Sequence, residues 1–162
     1  MNEVLLQVDS SADSKDHITV VIADDHPLMR EALRSHLEKE TDIEIVAGVG
    51  DGEEAVEIAI KLLPDVVIMD ITMPKLNGLE ANRQIKEKCP NTAVIVLTVH
   101  SDSEHILKIL EAGAAGYLVK SIYGAEVYHA IRMVAAGESA LSGEVLHQLL
   151  KYSLRNPIQP FN

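Results

Sequence analysis

Residues 65–77 read DVVIMDITMPKLN (Asp65–Asn77), an apolar run that ends abruptly in a carboxylate. The run at residues 66–69 is mostly β-branched and has no polar face, which is typical of a short strand buried on both sides in a parallel sheet. Asp70 then lies at the carboxyl end of this strand, where open α/β sheets place their ligand chemistry. Turn-forming residues follow and can hold the backbone close to that carboxylate. Taken alone, the stretch is equally compatible with a functional carboxylate at Asp70 and with a solvated carboxylate that only ends the strand.

Short apolar runs alternate with longer segments of helical period from His17 onward, and this alternation predicts βα units around a parallel sheet. Helices are predicted at 28–40, between 51 and 64, between 78 and 90, at 102–112 and at 123–136. The predicted strands are residues 18–23, 43–49, 65–70, 93–98 and 115–119. Five βα units thereby fill residues 18–137.

The two ends of the chain differ from this regular part. We expect residues 1–16 to form a flexible, polar N-terminal extension, residues 17–137 the folded domain, and residues 138–162 a linker helix and tail. Ser142 can cap a helix over residues 143–152, and the remainder carries two prolines and no period. The apolar stripe of this helix is compatible with a linker helix, a dimer contact or a docking element.

The composition excludes several classes of protein. A formal net charge of −11 argues against nucleic-acid binding through the surface of this piece, since such binding needs a basic face. No apolar run approaches the roughly 18 residues of a membrane span, and the N-terminus lacks the features of a secretion signal. Cys89 is the single cysteine, so no internal disulfide can form. We therefore expect a cytoplasmic protein that does not contact membranes.

Polar residues end the predicted strands, and right-handed crossovers bring the carboxyl ends of parallel strands to one edge of the sheet. Carboxylates gathered there repel one another unless a cation compensates, and hard oxygen ligands select Mg²⁺. Most of the seven histidines, including His26, have no metal-site spacing and are interpreted as surface residues. The strand-end residues are Asp24, Asp25, Asp70, Thr98 and Lys120.

A cation, an ammonium and a hydroxyl around one carboxylate form a clamp for the oxygens of a phosphoryl group in transfer. Lys120 supplies the ammonium and Thr98 the hydroxyl. Asp70 is the natural nucleophile, because a carboxylate that attacks phosphorus gives an acyl phosphate. The strand ends therefore predict phosphoryl transfer to Asp70.

These positions together resemble the receiver domain of two-component response regulators. The resemblance covers residues 18–150 and is more specific to the NarL/FixJ (LuxR-type) subfamily of transcriptional regulators. Each motif alone is weak, but five functional positions at the correct strand ends are jointly specific. The motifs are IADDHPLMREAL at 22–33, DITMPKLNGLEA at 70–81, LEAGAAGYLVKS at 110–121 and AAGESALSGEVLHQLL at 135–150.

The resemblance implies a flavodoxin-like (CheY-like) α/β fold, with a doubly wound five-stranded parallel sheet of order 2-1-3-4-5 and an extra C-terminal linker helix. It implies that a sensor histidine kinase phosphorylates Asp70. It assigns Mg²⁺ (or Mn²⁺) to Asp25 and Asp70 directly, to the backbone carbonyl of Thr72, and to Asp24 mainly through water.

The resemblance also assigns roles in switching. Thr98 and Lys120 would sense the phosphoryl oxygens, and Tyr117 matches the aromatic residue that changes rotamer when the threonine is drawn inward. Thr72 and His100 match the variable positions that tune dephosphorylation. The expected response is a change in self-association, with a homodimer when phosphorylated, through the surface of the predicted fourth helix, fifth strand and fifth helix or through the first helix.

The resemblance departs at the C-terminus, where the basic helix-turn-helix domain of the subfamily is missing from the sequence. DNA binding and transcriptional control are therefore expected only of a longer parent protein. The chain itself is expected to be no enzyme beyond Mg²⁺-dependent self-phosphorylation and autodephosphorylation. One alternative is an interaction module that has lost phosphorylation. The other is an aspartyl-phosphate hydrolase, which would normally carry a second carboxylate where Thr72 stands.

Overall fold

A parallel sheet organises the part of the chain that the computed structural model describes, residues 17–71, 73–98, 103–119 and 125–155. Within these ranges the sheet has six strands, and helices connect them. The strands are β1 (Ile18–Ala23), β2 (Ile43–Val49), β3 (Val66–Asp70), β4 (Ala93–Thr98), β5 (Gly116–Val119) and β6 (Ala140–Leu141). The helices are α1 (Pro27–Leu37), α2 (Gly52–Leu62), α3 (Gly78–Lys88), α4 (Ser103–Glu111), α5 (Ala125–Ala135) and α6 (Gly143–Arg155).

The strand order is β2-β1-β3-β4-β5-β6, with every neighbouring pair parallel. The predicted fold class is confirmed, but the expectation of five strands was wrong by one. Ala140 donates its N–H to Ala115 O at 3.0 Å and pairs with Gly116, which adds β6 at the edge beyond β5. Two residues are too few to show an alternation, so the sequence pattern gave no signal for this strand.

Helices cover both faces of the sheet, and this explains the wholly apolar run in β3. All five residues of β3 are buried. Side chains from α2, α3, α4 and α6 pack on one face, whereas side chains from α1 and α5 pack on the other. A strand with helices on both sides has no solvent face, so alternation is lost and a continuous apolar run replaces it.

Helix α6 extends the fold beyond the predicted five units. Its Val145 is fully buried in the core face that holds α4, and Leu149 packs against the same cluster. The helix runs to Arg155 rather than to the predicted residue 152. The extension 1–16 and the tail 156–162 lie outside the described residues, so the proposed division of the chain at residues 17 and 137 stays a prediction.

An ion-pair cluster fixes α5 to the corner before β2. The Arg132 guanidinium donates to both carboxylate oxygens of Asp42 at 2.8 Å and to Glu40 Oε1 at 2.7 Å. The same guanidinium lies 4.7 Å from the centre of the Tyr128 ring. The hydrogen bonds from Arg132 hold the pKa of the Asp42 carboxyl below its ordinary value, and the pKa of Arg132 is raised in turn. This bidentate geometry gives the contact directional specificity.

In the described ranges, no helix combines the length and the apolar character needed to cross a membrane.

Candidate functional site

Three carboxylates and one imidazole meet at the carboxyl edge of the sheet. The register pairs Ala23 of β1 with Met69 of β3, so the residues that follow β1 arrive beside the last residue of β3. One ligand atom from each of four residues lies within 4.8 Å of the other three. Sequence reasoning placed the carboxylates together because the strand ends must converge there. The four residues are Asp24, Asp25, His26 and Asp70.

Burial makes this cluster costly unless its charges are compensated. Asp70 is 3% exposed and Asp24 is 7% exposed. Asp24 Oδ1 accepts the His26 backbone N–H at 2.9 Å. In the described residues, Asp25 Oδ1 is shielded from solvent and accepts no hydrogen bond. His26 Nδ1 lies 3.0 Å from this oxygen without forming a hydrogen bond to it. A shielded carboxylate oxygen that accepts no hydrogen bond is unfavourable, and a bound cation would compensate it.

Hard oxygen donors with an unsatisfied carboxylate atom fit a divalent cation such as Mg²⁺ or Mn²⁺. Asp24, Asp25 and Asp70 supply these oxygens. The other expected ligand, the backbone carbonyl of Thr72, lies outside the described residues. The carboxylate oxygens of the described residues therefore fit the expected Mg²⁺ or Mn²⁺.

His26 is closer to the cluster than its interpretation as a surface histidine implied. Its side chain is 62% exposed, as expected of a surface residue. Its Nδ1, however, lies 3.1 Å from Asp24 Oδ1 and 3.0 Å from Asp25 Oδ1. No spacing rule could reveal this contact, because it depends on the turn between β1 and α1 and on the ring rotamer. An imidazole that carries a proton on Nδ1 can therefore donate toward the acidic pair from the solvent side of the cluster.

The backbone of Asp24 is anchored at both of its polar groups. Its N–H donates to Val49 O at 3.0 Å, and its carbonyl accepts the Arg30 guanidinium Nη1 at 2.6 Å. Sequence reasoning did not single out Arg30. The available signal was a basic residue on the first turns of α1, directly after the acidic pair.

The loop between β3 and α3 packs tightly against the start of α2. A Cβ at Gly52 would collide with the carbonyl oxygen of Leu76, so only glycine allows this approach. Lys75 adopts φ 68°, and its Nζ lies 3.5 Å from Asp51 Oδ2. The Glu54 backbone N–H, with Lys75 nearby, holds the pKa of the Asp51 carboxyl below its usual range. The close backbone approach at Gly52 holds the segment that follows Asp70 against the start of α2.

The proposed switch residues share one face of the sheet. Thr98 is 3% exposed and follows Leu97, which pairs with Asp70. Tyr117 is fully buried and pairs with Val96, two residues before Thr98. Because paired residues of parallel strands point to the same side, Tyr117 lies below Thr98 on the face that carries α2, α3 and α4. Lys120 and His100, like Thr72, lie outside the described residues, and their predicted roles stay predictions.

Comparison with known proteins identifies relatives of this chain. The family model for the response regulator receiver domain matches residues 20–132. The transcriptional regulatory protein DegU of Brevibacillus brevis is 41% identical over 138 residues, which cover 85% of this chain and 58% of that protein. The nitrate/nitrite response regulator protein NarL of Escherichia coli is 35% identical over 137 residues, which cover 85% and 63%.

A solved structure agrees with these sequence relatives. The two-component response regulator of the LuxR family from an Aurantimonas species aligns with a TM-score of 0.81 at 33% identity. The alignment covers 85% of this chain and 99% of that chain. The curated relatives are longer, since this chain spans 58% of DegU and 63% of NarL.

Proposed function

The chain belongs to the response regulator receiver domain family, in its NarL/LuxR-type group, and from this premise we propose that it accepts a phosphoryl group on Asp70. The observation that supports the proposal most strongly is the cluster of Asp24, Asp25 and Asp70 at the end of the central strands, where one shielded oxygen of Asp25 accepts no hydrogen bond from the described residues. Such a cluster suits a cation that binds one or two carboxylates together with phosphate.

In the proposed reaction, the donor is a phosphohistidine of a sensor histidine kinase. An Asp70 carboxylate oxygen forms the new bond to phosphorus, the phosphorus–nitrogen bond breaks, and its electron pair returns to the imidazole of the kinase. Mg²⁺, when bound, would offset the charge that develops on the phosphoryl oxygens. Asp25 and Asp70 would hold it directly, with the Thr72 carbonyl, and Asp24 mainly through water.

The remaining roles belong to residues at neighbouring strand ends. The Thr98 hydroxyl and the Lys120 ammonium would contact the phosphoryl oxygens, and Tyr117 would change rotamer when Thr98 moves. A phosphoryl group adds up to about two negative charges, which forces these groups to rearrange. Thr72 and His100 would tune the rate at which water removes the phosphoryl group.

The proposed partners follow from the same assignment. A sensor histidine kinase would supply the phosphoryl group in the cytoplasm. Relatives of this chain are named as transcriptional regulatory proteins. We propose that a longer parent protein binds DNA through a C-terminal helix-turn-helix domain, and that phosphorylation of the receiver controls that domain. The chain would act as a phosphoacceptor rather than as an enzyme with a diffusible product.

Incubation with a small phosphodonor such as acetyl phosphate, with Mg²⁺ and with EDTA, tests this proposal. We expect an acid-stable, base-labile adduct that forms only with Mg²⁺ and persists long enough for intact-mass analysis. Rapid release of inorganic phosphate without a lasting adduct would instead support an aspartyl-phosphate hydrolase. No adduct and no phosphate release would support an interaction module that has lost phosphorylation.

Phosphorylation is also expected to change self-association. The surface formed by α4, β5 and α5, or that of α1, would respond to the rearranged site, because a charge change biases a two-state equilibrium. Sedimentation velocity with Mg²⁺ and the phosphate mimic beryllofluoride should show a shift from monomer to dimer. Asp70→Asn serves as the control, since it cannot form the aspartyl adduct. An unchanged sedimentation profile of the wild-type chain would contradict dimer control within this chain.

A further inference from the structure

We propose that Arg30 is a positioning residue for the cation site, and the proposal rests on the function proposed above. Its guanidinium Nη1 donates to the backbone carbonyl of Asp24 at 2.6 Å, in the turn between β1 and α1 that carries the acidic pair. Among the described residues, Arg30 donates to this backbone carbonyl and not to a carboxylate oxygen of the cluster. Its effect would therefore pass through the backbone that aims the carboxylates.

The bond to Asp24 constrains the peptide that links the two acidic residues. The carbonyl of Asp24 and the N–H of Asp25 belong to the same planar peptide unit. The Asp24 N–H, which belongs to the preceding peptide unit, is bound to Val49 O at 3.0 Å, and the bond from Arg30 to the Asp24 carbonyl restricts rotation of the unit that leads to Asp25. The orientation of Asp25, whose buried Oδ1 accepts no hydrogen bond in the described residues, is set by this unit.

The Arg30 side chain runs beside two glycines at the end of β2. A Cβ at Gly48 would lie 3.5 Å from Arg30 Cδ, and a Cβ at Gly50 would lie 3.5 Å from Arg30 Nη1. The side chain therefore crosses the start of the β2–α2 connection and reaches the β1–α1 turn. It thereby links α1 to the turn that carries Asp24 and Asp25. This hydrogen bond can hold Asp25 in position before a cation binds.

Arg34 offers a matched comparison, because it lies one turn further along α1. A Cβ at Gly48 would lie 3.3 Å from Arg34 Nη2, so both arginines extend over the same strand end. Arg34 pairs with Glu38 at 3.5 Å and with Glu31 at 4.0 Å, and these are surface contacts. Removal of Arg34 would take away the same charge without touching the Asp24 peptide.

Residues that orient metal ligands typically contribute 10–100-fold to metal affinity. We therefore expect Arg30→Met, which keeps a long apolar stem but no donor, to weaken cation binding by about 10-fold or more. Arg30→Lys should recover part of this loss, because one ammonium can reach the carbonyl but cannot reproduce the planar contact. Arg34→Met should bind the cation as the wild-type chain does.

The experiment is a titration of the full chain with Mn²⁺, followed by the EPR signal of the free ion, beside urea unfolding without metal. The inference is supported if Arg30→Met loses affinity, Arg30→Lys regains part of it, and the metal-free urea midpoints of Arg30→Met and Arg34→Met agree. It is overturned if Arg30→Met binds Mn²⁺ like the wild type. It is equally overturned if Arg34→Met loses as much affinity, or if affinity falls only together with the metal-free urea midpoint.

The same titration separates this inference from the proposed function. If the wild-type chain binds no Mn²⁺, the proposed function fails and Arg30 has no cation to position. If the wild-type chain binds Mn²⁺ and the Arg30→Met variant binds equally well, the proposed function stands and only the role of Arg30 is rejected.

Discussion

Asp70→Asn is expected to abolish the base-labile phosphoryl adduct under conditions that label the wild-type chain. The amide has nearly the shape of the carboxylate, so the residue can stay in its 3% exposed position at the end of β3. It lacks the negative charge and the nucleophilic oxygen that must bond to phosphorus. Removing one of three clustered carboxylates also relieves repulsion, so the variant should unfold at a urea concentration no lower than the wild type. Intact-mass analysis after treatment with acetyl phosphate and Mg²⁺ measures the adduct.

Asp51→Asn is the matched control for this substitution. Asp51 is another buried carboxylate, 6% exposed, but it caps α2 by accepting the Glu54 N–H at 2.8 Å. Asparagine caps helices about as well as aspartate, so the fold should be kept. We expect Asp51→Asn to be labelled like the wild type. Equal labelling of Asp70→Asn and wild type would refute Asp70 as the phosphoacceptor.

The sequence was sufficient to predict the central part of the fold because burial leaves a direct trace in residue type. The apolar run before Asp70 has no polar position, and the structure buries every residue of β3. The approach of Asp24 and Asp25 to Asp70 also follows from topology alone, because parallel strands end at one edge. The part of the site that depends on chain direction and strand order was therefore predictable.

Features that depend on side-chain direction were not predictable. His26 follows the acidic pair directly in the sequence, but this adjacency does not fix the ring direction that brings Nδ1 to within 3.1 Å of Asp24 Oδ1 and 3.0 Å of Asp25 Oδ1. The bond from Arg30 to the Asp24 carbonyl depends on the path of one side chain over two glycines. Strand β6 was missed because two residues at a sheet edge show no periodicity. In these cases the direction of a side chain or the pairing of distant strands, rather than a periodic pattern of residue types, decides the outcome.

Gly78→Ala is expected to destabilise the fold and to slow phosphorylation together. A Cβ at Gly78 would lie 2.6 Å from Ile71 Cα and 2.7 Å from Asp70 O. Both are backbone atoms, so no side-chain rotation can relieve the clash, and the start of α3 must separate from the end of β3. Overpacking of this kind costs about 1–3 kcal/mol. A displacement of about 1 Å at a reacting group can reduce the rate about 100-fold.

Urea unfolding and the rate of labelling by acetyl phosphate measure the two effects separately. Gly143→Ala is the matched control, because Gly143 also begins a helix, α6, and a Cβ there would meet nothing within 4 Å. That variant should be as stable as the wild type and be labelled at the wild-type rate. The hydrogen bond from the Gly78 N–H to Ile71 O, at 2.9 Å, lies where α3 must move. Equal stability of Gly78→Ala and Gly143→Ala would contradict the prediction. It would show that the close backbone approach at Gly78 does not hold the loop after Asp70 in place.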